Sequence, residues 1–159
     1  GPLCSRIAEA PHLLRRPVKR TLSGAYRLRL SAGERDVLRT LPQQLVELLE
    51  DDSPSLRRLF PPAFEDDPAR NAEYQRLMRE DLVERHRSAL DTMARTVDAT
   101  ELTEEELTAW LGSLNDFRLV LGTTLGVTEE DMLSEDPEHA LYHYLSYLEE
   151  SVVAALANW

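Results

Sequence analysis

The chain has a single cysteine, Cys4, so no intrachain disulfide can form, and lone-thiol usage fits a reducing cytoplasm. Glycine is scarce, with 6 in 159 residues, while Leu, Ala, Glu and Arg dominate; that balance favours helix over sheet. No phosphate-cradling glycine loop, dinucleotide fingerprint or nucleophile elbow occurs. No apolar run is long enough to cross a bilayer, and no signal-peptide core is visible. Basic residues are nearly missing from the C-terminal part. After Val97 there is only Arg118, against fourteen Asp and Glu.

What is present is strongly asymmetric. Ahead of Ser31 the chain carries Arg6, Arg15, Arg16, Lys19, Arg20, Arg27 and Arg29 against Glu9 alone, within a net charge of -11. A basic segment on an acidic body can meet nucleic acid, an acidic protein or its own surface. Residues 1–3 read as the scar of a cleaved expression tag, and residues 1–16, broken by Pro11, read as a flexible arm. Residues 17–159 read as one mainly α domain, a helical bundle of about five to six helices with a small N-terminal β-hairpin.

The hairpin is expected from residues 18–22 and 26–30 around Ser23-Gly24. Tyr26, Leu28 and Leu30 alternate with Arg27 and Arg29, so one face is apolar and the other cationic. Ser31 with Glu34 forms a capping box for a helix to residue 49, with Pro42 expected to kink it. A short helix follows at residues 53–60, then a proline connector anchored by Phe60 and Phe64. Asp67-Pro68 starts the longest helix, with Tyr74, Leu77, Met78, Leu82, Ala89, Leu90, Met93 and Val97 as its inward stripe. Thr103 and Glu106 form a second capping box, for a helix that Gly126 ends. A turn of helix at 128–133 and a last helix capped by Asp136 complete the order. There Leu141, Leu145, Leu148, Val152, Ala155 and Trp159 make a seam.

Candidate chemistry is sparse. His139 and His143 have metal-ligand spacing but no third ligand, so no metal or other cofactor is expected. His86 has no nucleophile partner in view. The acidic clusters at 104–106 and 129–131 fall in first turns, where they favour the helix dipole. Arg57 and Arg58 either pair with Glu65, Asp66 and Asp67 or bind an anion. Tyr142, Tyr144 and Tyr147 outnumber the faces the seam leaves free, so they pack between helices or, with Trp159, form a protein interface.

The segment around Trp110, Asn115, Asp116 and Arg118 carries polar groups inside apolar sequence. A lone guanidinium there needs defined partners, because an unpaired buried charge is costly. Asp116 is two residues from Arg118 and cannot face it, so Arg118 is expected to reach another helix, such as Glu80, Asp81 or Glu84 on the long one. Asn115 is expected to satisfy a helix end or the hairpin backbone. These four residues are either a structural polar network or the centre of a ligand site.

Three groups of residues together carry a family resemblance. They are Tyr26-Arg27-Leu28-Arg29-Leu30; Leu56-Arg57-Arg58-Leu59-Phe60-Pro61; and Leu102-Thr103-Glu104-Glu105-Glu106 with Trp110, Asn115-Asp116, Arg118-Leu119 and Leu121-Gly122-Thr123. The chain from Val18 to Leu156 resembles an actinobacterial domain-of-unknown-function family, catalogue number 2017. The resemblance implies a small cytosolic protein without an established catalytic motif. It further implies, for some members, transcriptional regulation under oxidative stress through a cysteine pair and contact with a sigma factor. This chain departs from that subset: with Cys4 alone, an intramolecular thiol switch is excluded, and only an intermolecular disulfide remains.

The expectation is therefore a non-enzymatic, transcription-associated interaction domain. Arg15, Arg16, Lys19, Arg20, Arg27 and Arg29 would contact DNA or an acidic partner, and the helical body would dock a protein such as a sigma factor. Two alternatives stand beside it. One is a homodimeric adaptor using Tyr142, Tyr144, Tyr147 and Trp159; the other is a small-ligand domain centred on Asn115, Asp116 and Arg118.

Overall fold

The alternation of residues 26–28 does make a strand, but the sheet it joins has one strand more than a hairpin. A computed structural model describes residues 16–51, 56, 59, 66–125 and 137–157. Among them are strands β1 (Val18–Arg20), β2 (Tyr26–Leu28) and β3 (Glu101–Leu102), and helices α1 (Ala32–Asp51), α2 (Pro68–Thr96), α3 (Glu104–Leu125) and α4 (Pro137–Ala157). The chain is mainly α, with a small antiparallel sheet in the order β1-β2-β3. Val18 pairs with Leu28, Lys19 with Arg27, and Arg20 with Tyr26. Tyr26 then pairs with Leu102, and Arg27 with Glu101. The expected hairpin is there, and β3, too short to show a two-residue period in the sequence, adds a third strand to it.

Several expected features lie outside the described residues: the arm with Cys4 and Arg15, the connector with Phe60 and Phe64, and Arg57 and Arg58. So do the Gly126 cap, the turn at 128–133, the Asp136 cap and Trp159. Of the expected short helix, Leu56 and Leu59 are described; both are buried, and the Leu59 amide donates to the Leu56 carbonyl.

Helix starts follow local chemistry. At α3 the capping box is reciprocal: the Thr103 amide donates to Glu106 Oε1 at 2.8 Å, and the Glu106 amide to Thr103 Oγ1 at 3.1 Å. At α2 the Asp67 carboxylate accepts from the Arg70 amide at 3.1 Å, with Pro68 in the first turn. At α1 only half of the box forms. The Glu34 amide donates to Ser31 Oγ, while the Glu34 carboxylate accepts from the Tyr144 hydroxyl on α4 at 2.9 Å. The chain stays helical through Pro42, which is buried.

The core joins the sheet's inner face to the bundle. Val18, Tyr26, Leu28 and Leu102 are buried together with Val37, Leu38, Leu45 and Leu49 of α1. Leu90, Met93 and Val97, then Leu107, Trp110, Leu114, Phe117 and Val120, and Leu145, Leu148, Val152 and Ala155 complete it. Burying each leucine is worth about 1.5–3 kcal/mol, so this shared interior is what holds a sheet too small to stand alone. α3 packs against both α2 and α4, and β1 lies on α4. The α2 stripe needs one correction. Leu77 is exposed, because Tyr74, Met78 and Leu82 share a line at four-residue steps and Leu77 lies about 100° off it.

Arg35 and Arg39 of α1 fix the turn between α2 and β3. Arg35 Nη1 donates to the Val97 and Ala99 carbonyls at 2.7 and 2.8 Å, satisfying acceptors that the helix end leaves open. Arg39 grips Asp98 with two bonds, at 2.5 and 2.9 Å, and this bonding holds the Asp98 carboxyl below its ordinary range. With that turn fixed, the Leu28 amide donates to the Thr100 carbonyl and β3 lines up on β2.

Candidate functional site

Two sets of polar residues come out of this architecture, one turned inward and one outward. The inward set is built on α3. Trp110 is fully buried and its Nε1 donates to Thr96 Oγ1 on α2 at 2.7 Å. One face further along, Asp116 is buried and its Oδ2 lies 2.6 Å from His86 Nδ1, also on α2. His86 is thus a helix-tying residue, a role that its neighbours Arg85 and Arg87 gave no signal for.

Arg118 turns the other way. Two residues on a helix are about 200° apart, so a side chain following Asp116 by two faces away from α2. Its Nε lies 3.1 Å from Glu149 Oε2 on α4, with 34% of the Arg118 side chain and 13% of the Glu149 side chain exposed. The N–H does not point along that line, so the contact is a charge pair rather than an aligned hydrogen bond. Burial pushes the Glu149 carboxyl up, and Arg118 pulls against it. Arg118 Nη2 also donates to Asn115 Oδ1 at 3.4 Å. The expected partners Glu80, Asp81 and Glu84 are therefore corrected to Glu149 and Asn115, and among the described residues Asn115 bonds Arg118 rather than a helix end or the hairpin. Trp110, Asn115, Asp116 and Arg118 do not converge on one point. They divide between two helix interfaces.

Of the aromatic set on α4, Tyr144 belongs to the interior rather than to a surface. It is 6% exposed and bonded to Glu34, and burial, reinforced by that carboxylate, pushes its hydroxyl pKa upward. Tyr142 and Tyr147 are half-buried. His139 is buried and His143 half-buried, and among the described residues no group of three or more His, Cys, Asp or Glu is placed to hold a metal. A shallow depression at the start of α3 is lined by the capping Thr103, the first-turn Glu104 and Glu105, and Thr108, whose hydroxyl donates to the Glu104 carbonyl.

The outward set is the outer face of the sheet. Strand alternation buries Val18 and Leu28 and leaves Lys19 and Arg27 directly opposite one another in the open. Arg29 follows two residues along the same face, and Arg16 and Arg20 are exposed at either end of β1. One carboxylate, Glu101, approaches Arg27 at 3.5 Å; both side chains are about half exposed, and such a pair contributes little. Lys19, Arg27 and Arg29 thus share the outer face, while Arg20, paired with the buried Tyr26, and Arg16 stand exposed at the ends of β1 with the opposite parity, in a chain whose net charge is -11.

The molecule is a mainly helical domain whose distinguishing outer feature is a cationic sheet face. It belongs to the family described as domain of unknown function DUF2017, whose model matches residues 15–156, as the resemblance in the residues implied. A Mycobacterium leprae protein provisionally named oxidative stress regulator AosR is 32% identical, over 66% of this chain and 59% of its own length. Proteins of Mycobacterium bovis and Mycobacterium tuberculosis named oxidative stress regulator AosR are 30% identical, over 65% of this chain and 58% of theirs. The chain therefore spans under two thirds of the curated relatives it matches. No solved structure matches it. Among the described residues, no helix is long and apolar enough to cross a membrane.

Proposed function

We propose that this chain is a non-enzymatic regulatory domain that docks an acidic protein partner on the outer face of its sheet. The observation that carries the reading is the outer sheet face with Lys19, Arg27 and Arg29, flanked by Arg16 and Arg20 exposed at the ends of β1, in a chain with net charge -11. Relatives named oxidative stress regulators support the regulatory half. Charge favours a protein over DNA as partner. Five cations neutralise at most about five phosphates, and the acidic helices behind them repel the rest of a duplex. A folded acidic surface of matching size meets the cations without that penalty. A sigma factor is the partner class the family resemblance suggests, and the reading carries a cytoplasmic location with it.

Binding of the purified chain to the host's sigma factors, measured by interferometry beside a promoter duplex, tests the proposal. Protein binding that is lost in Lys19→Glu/Arg27→Glu supports it. Duplex binding with a logarithmic salt slope of about 4, and no protein binding, would replace it with the DNA reading. A homodimer through α4 is the second reading, favoured by the exposure of Val153. Concentration-dependent sedimentation abolished by Val153→Glu would favour it.

A further inference from the structure

At the end of the cationic row stands an apolar side chain that the fold has no use for. Leu22 is 110% exposed, the most exposed of the large apolar side chains described; Leu77 and Val153 follow at 67% and 48%. Scattered surface leucines are ordinary, but turn positions favour Gly, Asn, Asp, Ser and Pro, and this turn holds Leu22 in place.

The Thr21 amide donates to the Ala25 carbonyl at 2.8 Å, and the Gly24 amide to the Thr21 carbonyl at 3.1 Å. Thr21 Oγ1 donates to the Ala25 carbonyl at 3.1 Å and lies 2.9 Å from Ser23 Oγ. Gly24 takes φ +88°, which closes the turn. The loop around Leu22 is thus hydrogen-bonded on both sides, and little order remains to be gained when the side chain enters a partner. Arg20 and Lys19 on one strand and Arg27 on the other stand exposed at the base of the turn.

We propose that Leu22 is the anchor of the docking surface, entering an apolar pocket on a protein partner whose rim carries carboxylates. This deepens the docking reading above and rests on it. The cations choose the rim and the leucine fills the pocket, which is the usual division between charged periphery and apolar centre in an interface. Full burial of one leucine is worth about ten- to a hundredfold in affinity.

The test places the photo-cross-linker p-benzoylphenylalanine at position 22 of the full chain in the host cell. The captured protein is then purified and titrated with the wild type, Leu22→Ser, Leu22→Met and Lys19→Glu/Arg27→Glu. The expected result is a protein adduct, at least tenfold weaker binding by Leu22→Ser, and binding within threefold of wild type by Leu22→Met. Because position 22 touches nothing in the fold, its variants fold as the wild type does, and circular dichroism checks that the charge reversal, which removes the Arg27–Glu101 pair, keeps the fold. An adduct with nucleic acid, no adduct, or Leu22→Ser binding like the wild type overturns the anchor. If charge reversal still weakens binding in that case, the docking face survives without its anchor. If neither change matters, both fail.

Discussion

Asp116 on α3 and His86 on α2 meet at 2.6 Å across thirty residues of sequence, with the Asp116 side chain only 6% exposed. With Trp110 and Thr96 further along the same interface, this contact fixes the register of the two helices. Asp116→Ala removes the carboxylate that the His86 imidazole meets at the helix interface, and His86→Ala leaves a carboxylate buried without that partner. Each is expected to cost about 2–3 kcal/mol in urea unfolding. The double variant should lose less than the sum, by about 1–2 kcal/mol. Additive losses would mean that the contact contributes nothing.

Arg118 and Glu149 make the matching tie from α3 to α4, and its cost of removal depends on pH. Burial raises the Glu149 pKa above its ordinary value of 4.5, and Arg118 opposes the rise. An acid with a raised folded pKa holds its proton more tightly in the native state. Stability therefore falls as pH climbs from 4.5 through the folded value. Without Arg118 the rise is larger. Arg118→Ala should cost about 2 kcal/mol at neutral pH and clearly less at the acid end of that window, and Glu149→Gln should cost less than Arg118→Ala at neutral pH. An Arg118→Ala loss that is flat with pH would remove Glu149 from the account.

These two ties show how far residue spacing reaches. The two-residue step from Asp116 to Arg118 was enough to say that they point apart, because helix geometry alone sets it. It could not say which helix each would meet, since that depends on how α2, α3 and α4 cross. Thr103 with Glu106 and Asp67 with Pro68 were visible because a cap is satisfied within four residues. Ser31 with Glu34 looked the same and behaves differently: a buried tyrosine from a helix more than a hundred residues away takes the carboxylate. The cationic face followed from the alternation of residues 26–30. β3 did not, because two residues have no period, and its place comes from Arg35 and Arg39 holding the preceding turn.

The Tyr144–Glu34 bond predicts an alkaline limit. Burial raises the Tyr144 pKa above its ordinary value of 10.0, so the unfolded chain releases this proton before the native one does. Stability from this group is complete below pH 10.0 and declines as pH rises above it. Tyr144→Phe should cost about 1 kcal/mol at neutral pH and reduce the alkaline decline. Urea unfolding from neutral to alkaline pH, with absorbance at the phenolate band, reads both effects. A Tyr144 that ionises in the native protein at its ordinary value of 10.0 would contradict the placement.

The hairpin tip should respond locally where the helix ties respond globally. Gly24 has φ +88°, but a methyl group there would meet no atom within 4 Å. Gly24→Ala therefore introduces backbone strain without a clash, worth about 1 kcal/mol. Because Leu22 and Ser23 beside it are exposed, that strain can be relieved by opening the turn rather than by unfolding the bundle. Hydrogen exchange should speed up at the Thr21 and Gly24 amides while the Trp110 and Leu114 amides of α3 keep their protection. A uniform rise across α3 would mean that the sheet and the bundle open as one unit, leaving the tip no independence to present Leu22.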